Sequence, residues 1–87
     1  MAYSLEFTET AERELSRLDA TVAQEMRSAL TRMAENVDAV RHHALRDPRY
    51  RGQFRLRRGD YRAIYELDRA NRRVTVHRVQ HRSDAYR

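Results

Sequence analysis

Hydrophobic positions change their spacing twice along the chain. Tyr3-Ser4-Leu5-Glu6-Phe7 alternates apolar and polar, which predicts a half-buried strand. Thr8 follows and suits a helix N-cap, because its hydroxyl can accept from an unsatisfied N–H of the first turn. Ala11, Leu15 and Leu18 then fall on one stripe of a helix. Asp19-Ala20-Thr21 interrupts that stripe, and either Asp19 or Thr21 can cap a second helix, Thr21 with Gln24 in capping-box form. Val22, Met26, Ala29, Leu30, Met33 and Val37 make the second stripe. So short a link predicts an antiparallel helical hairpin.

Residues 38–51 have no clear period and hold the single proline, Pro48. From Gly52 the period returns to two. Phe54 and Leu56 take one face of a strand, and Gln53, Arg55 and Arg57 the other. Arg58-Gly59-Asp60 reads as a turn, Tyr61 to Leu67 as a second strand, Asp68 to Asn71 as another turn, and Arg72 to Val79 as a third strand. The expected fold is one α+β domain over residues 1–87, ordered β-α-α-β-β-β. Its antiparallel sheet carries the helical hairpin on one face. The other sheet face is then free for solvent or for binding. Tyr61 and Tyr65 share a strand face and read as core or half-core, and Met26 and Met33 as packing residues.

Composition adds three exclusions. A chain of 87 residues has one modest core and no room for an internal cofactor cavity. The absence of cysteine removes disulfides and thiolate metal sites and fits a reducing compartment. No apolar run approaches a membrane span, and the first residues lack the pattern of a signal peptide, so a cytoplasmic location is expected. His42 and His43 have no further ligand at metal-binding spacing, so neither metal nor cofactor is expected.

Charge changes the picture more. Residues 1–40 carry 4 Arg and 8 acidic residues, whereas residues 41–87 carry 14 Arg and 5 acidic residues. Lysine is absent, so a preference for arginine accounts for the residue type but not for its gathering in one half. A basic half on an acidic scaffold points to a polyanion, and nucleic acid is the commonest one. The plainer reading is a solvated arginine surface.

On the polar sheet face, Arg55 and Arg57 meet Arg62 of the neighbouring strand, and Arg82 arrives at the end of the last one. Guanidiniums fit phosphate oxygens in a bidentate fork and can stabilise charge building on a pentavalent phosphorus. With RNA the 2′-hydroxyl is a built-in nucleophile, so no metal is required. His81 supplies an imidazole, the side-chain type best suited to proton transfer near neutral pH. Tyr86 can donate to a leaving oxygen or stack on a base. The plainer alternative has His81 finishing a strand and Tyr86 ending the chain.

The run Gly52-Gln53-Phe54-Arg55-Leu56-Arg57-Arg58-Gly59-Asp60-Tyr61-Arg62-Ala63-Ile64-Tyr65 resembles the signature of RelE/ParE toxins. Val79-Gln80-His81-Arg82-Ser83-Asp84-Ala85-Tyr86 resembles their terminal V-x-H-R-x-x-x-Y segment, and the opening strand and first stripe resemble their start. The resemblance implies the toxin of a type II toxin–antitoxin module, held by a cognate antitoxin in a hetero-oligomer. In the RelE branch it implies a ribosome-dependent endoribonuclease that cuts mRNA in the A site without metal. Its catalytic residues then fall on Arg55, Arg62, His81, Arg82 and Tyr86, with Gln53, Arg57 and Arg58 as RNA contacts. Gln53 and Arg55 stand where the best-known branch has lysines, which leaves the proton acceptor unassigned and makes His81 the candidate. Two alternatives stay open: a ParE-like inhibitor of DNA gyrase, and a degenerate toxin that only binds its antitoxin or RNA. The second helix has only Arg27 and Arg32 as basic residues, which speaks against a helix-turn-helix DNA reader.

Overall fold

A computed structural model describes residues 2–83. The elements are β1 (Ser4–Phe7), α1 (Glu9–Ser16), α2 (Ala20–Glu35), β2 (His43–Ala44), a 3₁₀ turn (Pro48–Tyr50), β3 (Gln53–Arg58), β4 (Tyr61–Asp68) and β5 (Arg73–His81). The expected order is present, with β2 and the 3₁₀ turn added in the stretch that showed no period. Thr8 caps α1 by accepting from the Ala11 N–H, and Asp19, rather than Thr21, caps α2 by accepting from Thr21 N–H.

The five strands form one sheet in the order β1-β5-β4-β3-β2. It is mixed rather than wholly antiparallel, because β1 pairs parallel with β5, Leu5 opposite Val74 and Phe7 opposite Val76. The helices make this possible. They carry the chain from the end of β1 across one sheet face, so the intervening strands enter from the far edge. Gly59 has φ +61°, the left-handed geometry that the β3–β4 turn requires and that a Cβ would strain.

The core lies between the hairpin and the sheet. Ala11, Leu15, Met26, Leu30 and Met33 from the helices meet Ala63, Tyr65, Val74, Val76 and Val79 from the strands. Phe54, Leu56 and Tyr61 pack against it from the same sheet face, as their alternation predicts. Within this core His42 is committed to structure. Its Nε2–H donates to the Val37 carbonyl at 2.8 Å, which leaves Nδ1 to accept from the Tyr65 hydroxyl at 2.5 Å.

Tyr65 is 2% exposed, and burial pushes its hydroxyl up to about 12. The unfolded chain releases this proton near 10.0 while the folded chain still holds it. The contribution is therefore fully present below pH 10 and is lost as pH rises towards 12. Tyr65→Phe is expected to cost roughly 1–3 kcal/mol at pH 7, because His42 Nδ1 loses its donor. The deficit should shrink as pH rises past 10. Urea denaturation of both proteins from pH 7 to 11.5 checks this, and a deficit independent of pH would refute it.

Candidate functional site

Cross-strand register decides which arginines meet. On β3 and β4, Gln53 stands opposite Glu66, Arg55 opposite Ile64 and Arg57 opposite Arg62. On β4 and β5, Arg62 stands opposite Gln80 and Ile64 opposite Arg78. Residues paired in this way project to one side of the sheet. Gln53, Arg55, Arg57 and Arg62 therefore share the face turned away from the helices. Arg82 joins at the β4–β5 end, its N–H donating to the Asp60 carbonyl at 2.7 Å and its Nε 3.7 Å from the Asp60 carboxylate.

The charges on this face are set differently from those elsewhere. Arg27 is paired with Glu12, Arg49 with Asp47, Arg69 with Asp38, Arg73 with Glu6 and Arg78 with Glu14. Among the described residues no ion pair reaches Arg55, Arg57 or Arg58. Arg57 and Arg62, two like charges, occupy directly opposed positions. Placing Arg57, with no ion pair of its own among the described residues, beside Arg62 is an arrangement that an anion between them would favour.

Not every expected residue reaches this face. Arg58 alternates to the helix side, opposite Tyr61. His81 is also opposite Tyr61, whose ring meets its own edge-on with centroids 5.2 Å apart. Its Nδ1 accepts from the Ser83 N–H at 3.1 Å and lies 2.8 Å from the Ser83 hydroxyl, so in the neutral ring the proton sits on Nε2. His81 lines a hollow with Arg17, Leu18 and Tyr61 beside α1, apart from Arg55 and Arg57. Tyr86 lies outside the described residues.

Arg78 stands opposite Ile64 yet is drawn over the edge of the sheet. The strand β1 covers β5 only as far as Val76, and beyond it Glu14 of α1 takes over. Its carboxylate accepts from Arg78 Nε and Nη2 at 3.1 and 3.0 Å and from the Val79 N–H at 2.9 Å. These bonds raise the pKa of the Arg78 guanidinium above its usual value.

Sequence reasoning missed His77. A β-bulge between β4 and β5 pairs Tyr65 with Val76 and Ile64 with Arg78, so His77 has no direct opposite. Its Nε2 lies 3.4 Å from Glu66 Oε1, which brings the imidazole to the arginine side of the sheet. The signal was present in the alternation of the buried residues Val74 and Val76, which sends residue 77 to the opposite face.

A second feature lies at the other edge. A groove of about 820 Å³ runs between the end of α2, residues 39–43 and β3. Ala29, Met33, Ala39, Val40 and Leu56 give it an apolar floor, with Val40 left 40% exposed. Arg32, Arg41, Arg55, Arg57 and Arg58 line it with no carboxylate among its walls. The strand β2 pairs with β3 only at Phe54 and Arg55, so among the described residues β3 from Leu56 to Arg58 is a bare edge.

Known proteins carry the same plan. The family model described as the ParE toxin of the type II toxin–antitoxin system parDE matches residues 5–86. Toxin RelG of Mycobacterium tuberculosis is 35% identical over 91 residues, covering 100% of this chain and 99% of that protein. Among solved structures, a chain of the toxin–antitoxin complex RelBE2 from Mycobacterium tuberculosis superimposes with a TM-score of 0.82 at 30% identity, over 97% of this chain and 95% of that one. A chain of the intact E. coli RelBE toxin–antitoxin complex gives 0.72 at 26% identity, over 92% and 96%.

Proposed function

The chain belongs to the RelE/ParE superfamily of type II toxin–antitoxin toxins, and on that premise we propose that it is a ribosome-dependent endoribonuclease, cutting mRNA in the A site and so arresting translation in the cytoplasm. The observation that carries this reading is the sheet face on which Gln53, Arg55, Arg57 and Arg62 stand side by side, with Arg55 and Arg57 outside every ion pair of the described residues. A phosphodiester seated there is held by bidentate forks, and the charge that grows on its oxygens is stabilised by groups already in place. The nucleophile is the adjacent 2′-hydroxyl of the RNA. Arg82 takes the phosphate from the β4–β5 end, and Tyr86 stacks on a base or donates to the leaving oxygen. Cleavage by purified toxin on mRNA-programmed ribosomes, mapped at the codon, tests the reading.

The ParE model match favours a second reading, a gyrase inhibitor on the same fold. It predicts that the toxin stalls gyrase on cleaved DNA and leaves ribosome-bound mRNA whole.

The partner in either case is the cognate antitoxin, and the groove beside α2 fits a segment of it. Five arginines over an apolar floor ask for an acidic, amphipathic segment, and the bare edge of β3 offers main-chain hydrogen bonds to an added strand. Val40→Asp puts a charge on that floor. It is expected to weaken antitoxin binding at least about tenfold, the cost of leaving one carboxylate poorly solvated. Calorimetric titration of the antitoxin into both proteins checks this, and equal affinities would move the interface elsewhere.

A further inference from the structure

Cleavage by 2′-hydroxyl attack needs a group that accepts a proton near neutral pH. Among the described residues, the arginine face holds few that are not already engaged. Gln53 carries an amide that does not titrate, and Arg55, Arg57 and Arg62 keep their protons throughout the useful range. Glu6 is taken up by Arg73 and Asp68 by Asn71, which leaves two groups in one place. Glu66 lies opposite Gln53, two pairs along the sheet from Arg55, and His77 reaches Glu66 from the bulge in β5.

We propose that His77, oriented by Glu66, is the proton acceptor of the cleavage reaction. This rests on the ribonuclease reading above. A carboxylate only accepts hydrogen bonds, so the ring nitrogen facing it carries the proton: Nε2–H points at Glu66 Oε1, and Nδ1 keeps its lone pair. Alternation supplies the position: Val76 faces the core, so residue 77 projects to the arginine side, and the bulge leaves it without a direct opposite. His77 is only partly covered, with its side chain 34% exposed, so a substrate lying on the sheet reaches it.

The step balances as a transesterification. Nδ1 of His77 takes the proton from the 2′-hydroxyl, the 2′-oxygen forms a bond to phosphorus, and the bond from phosphorus to the 5′-oxygen breaks. The leaving 5′-oxygen takes a proton from water, and His77 returns its own to the hydroxide left behind. The products are a 2′,3′-cyclic phosphate and a 5′-hydroxyl, with no net consumption of water. The arginines hold the phosphate while Glu66 stabilises the imidazolium.

The charges around His77 come from its own strand, from β1, β3 and β4, where Asp68 stands opposite Arg73, and from α1. Glu66 lies on β4 and Arg55 on β3; on β5 are Arg73, paired with Glu6 of β1, and Arg78, paired with Glu14. Glu66 is the carboxylate in contact with the ring.

The test is the single-turnover rate of mRNA cleavage on programmed ribosomes as a function of pH. It uses the full chain as wild type, His77→Gln, His77→Ala and Glu66→Gln, with thermal unfolding and antitoxin binding measured on each. The wild-type rate should rise with pH through the histidine range and level off. His77→Gln should fall about 10²–10⁴-fold and lose that rise. Added imidazole should restore part of the rate to His77→Ala, which a purely structural histidine would not allow. Glu66→Gln, which keeps a hydrogen-bond acceptor but no charge beside the ring, should cut the rate less than His77→Gln. If folded His77→Gln cleaves with the wild-type rate and pH profile, the proposal fails and the ribonuclease reading stands. If the wild type itself does not cleave, both fall.

Discussion

Arg57→Gln is expected to make the protein more stable and less active at once. Arg57 and Arg62 face each other across β3 and β4, and Arg57 is exposed with no ion pair among the described residues, so its loss removes repulsion and little packing. Opposed like charges in a sheet destabilise by up to about 1 kcal/mol, and the unfolding midpoint should rise accordingly. Cleavage should fall about 10²–10³-fold, the usual effect of deleting one preorganised donor to a developing oxyanion. The opposite signs are informative. A solvated arginine surface with no ligand would give the first change alone, and loss of activity through misfolding would come with a lower midpoint. Urea unfolding and single-turnover cleavage on the same preparation decide between them.

The largest effect on stability is expected at Leu30. It is completely buried on α2 in the same cluster as Leu15, Met26, Tyr65 and Val76. Leu30→Ala removes three carbons from a packed site and leaves a cavity, at a cost of about 2–5 kcal/mol. Small domains of this kind have roughly 5–15 kcal/mol in total. The midpoint should drop by at least about 10 °C, given some 4–8 °C per kcal/mol at this size. Antitoxin binding stabilises the native chain by mass action, so the variant should recover much of its midpoint in the complex. A change of less than 1 kcal/mol would mean that α2 does not seal the core as its burial implies.

The period of the hydrophobic pattern carried most of the fold, because it reports which face of each element is dry. It gave both helices, the strands from Gln53 onward, and the segregation of Gln53, Arg55 and Arg57 from Phe54 and Leu56. It could not give the parallel pairing of β1 with β5, since alternation within a strand is silent about its neighbour's direction. The pair His43–Ala44 is too short to show a period, and both residues are exposed. His81 and His77 show the limit at the site. Motif position drew attention to His81, yet pairing with Tyr61 turns it to the helix side. His77 follows the alternation of Val74 and Val76 to the arginine side, but only the register of β4 against β5 brings it to Glu66. The unsatisfied arginines were legible from composition in part: the excess of Arg over acid after residue 40 leaves some without partners, but register is needed to say which.

The central claim is that the arginine face cleaves ribosome-bound mRNA. The direct measurement is primer extension on an mRNA incubated with 70S ribosomes and the purified chain, with Arg62→Gln alongside. New 5′ ends within the A-site codon, lost in the variant while its fold and antitoxin binding persist, are the predicted result. Intact mRNA with the wild type, together with gyrase trapped on cleaved DNA, would contradict it.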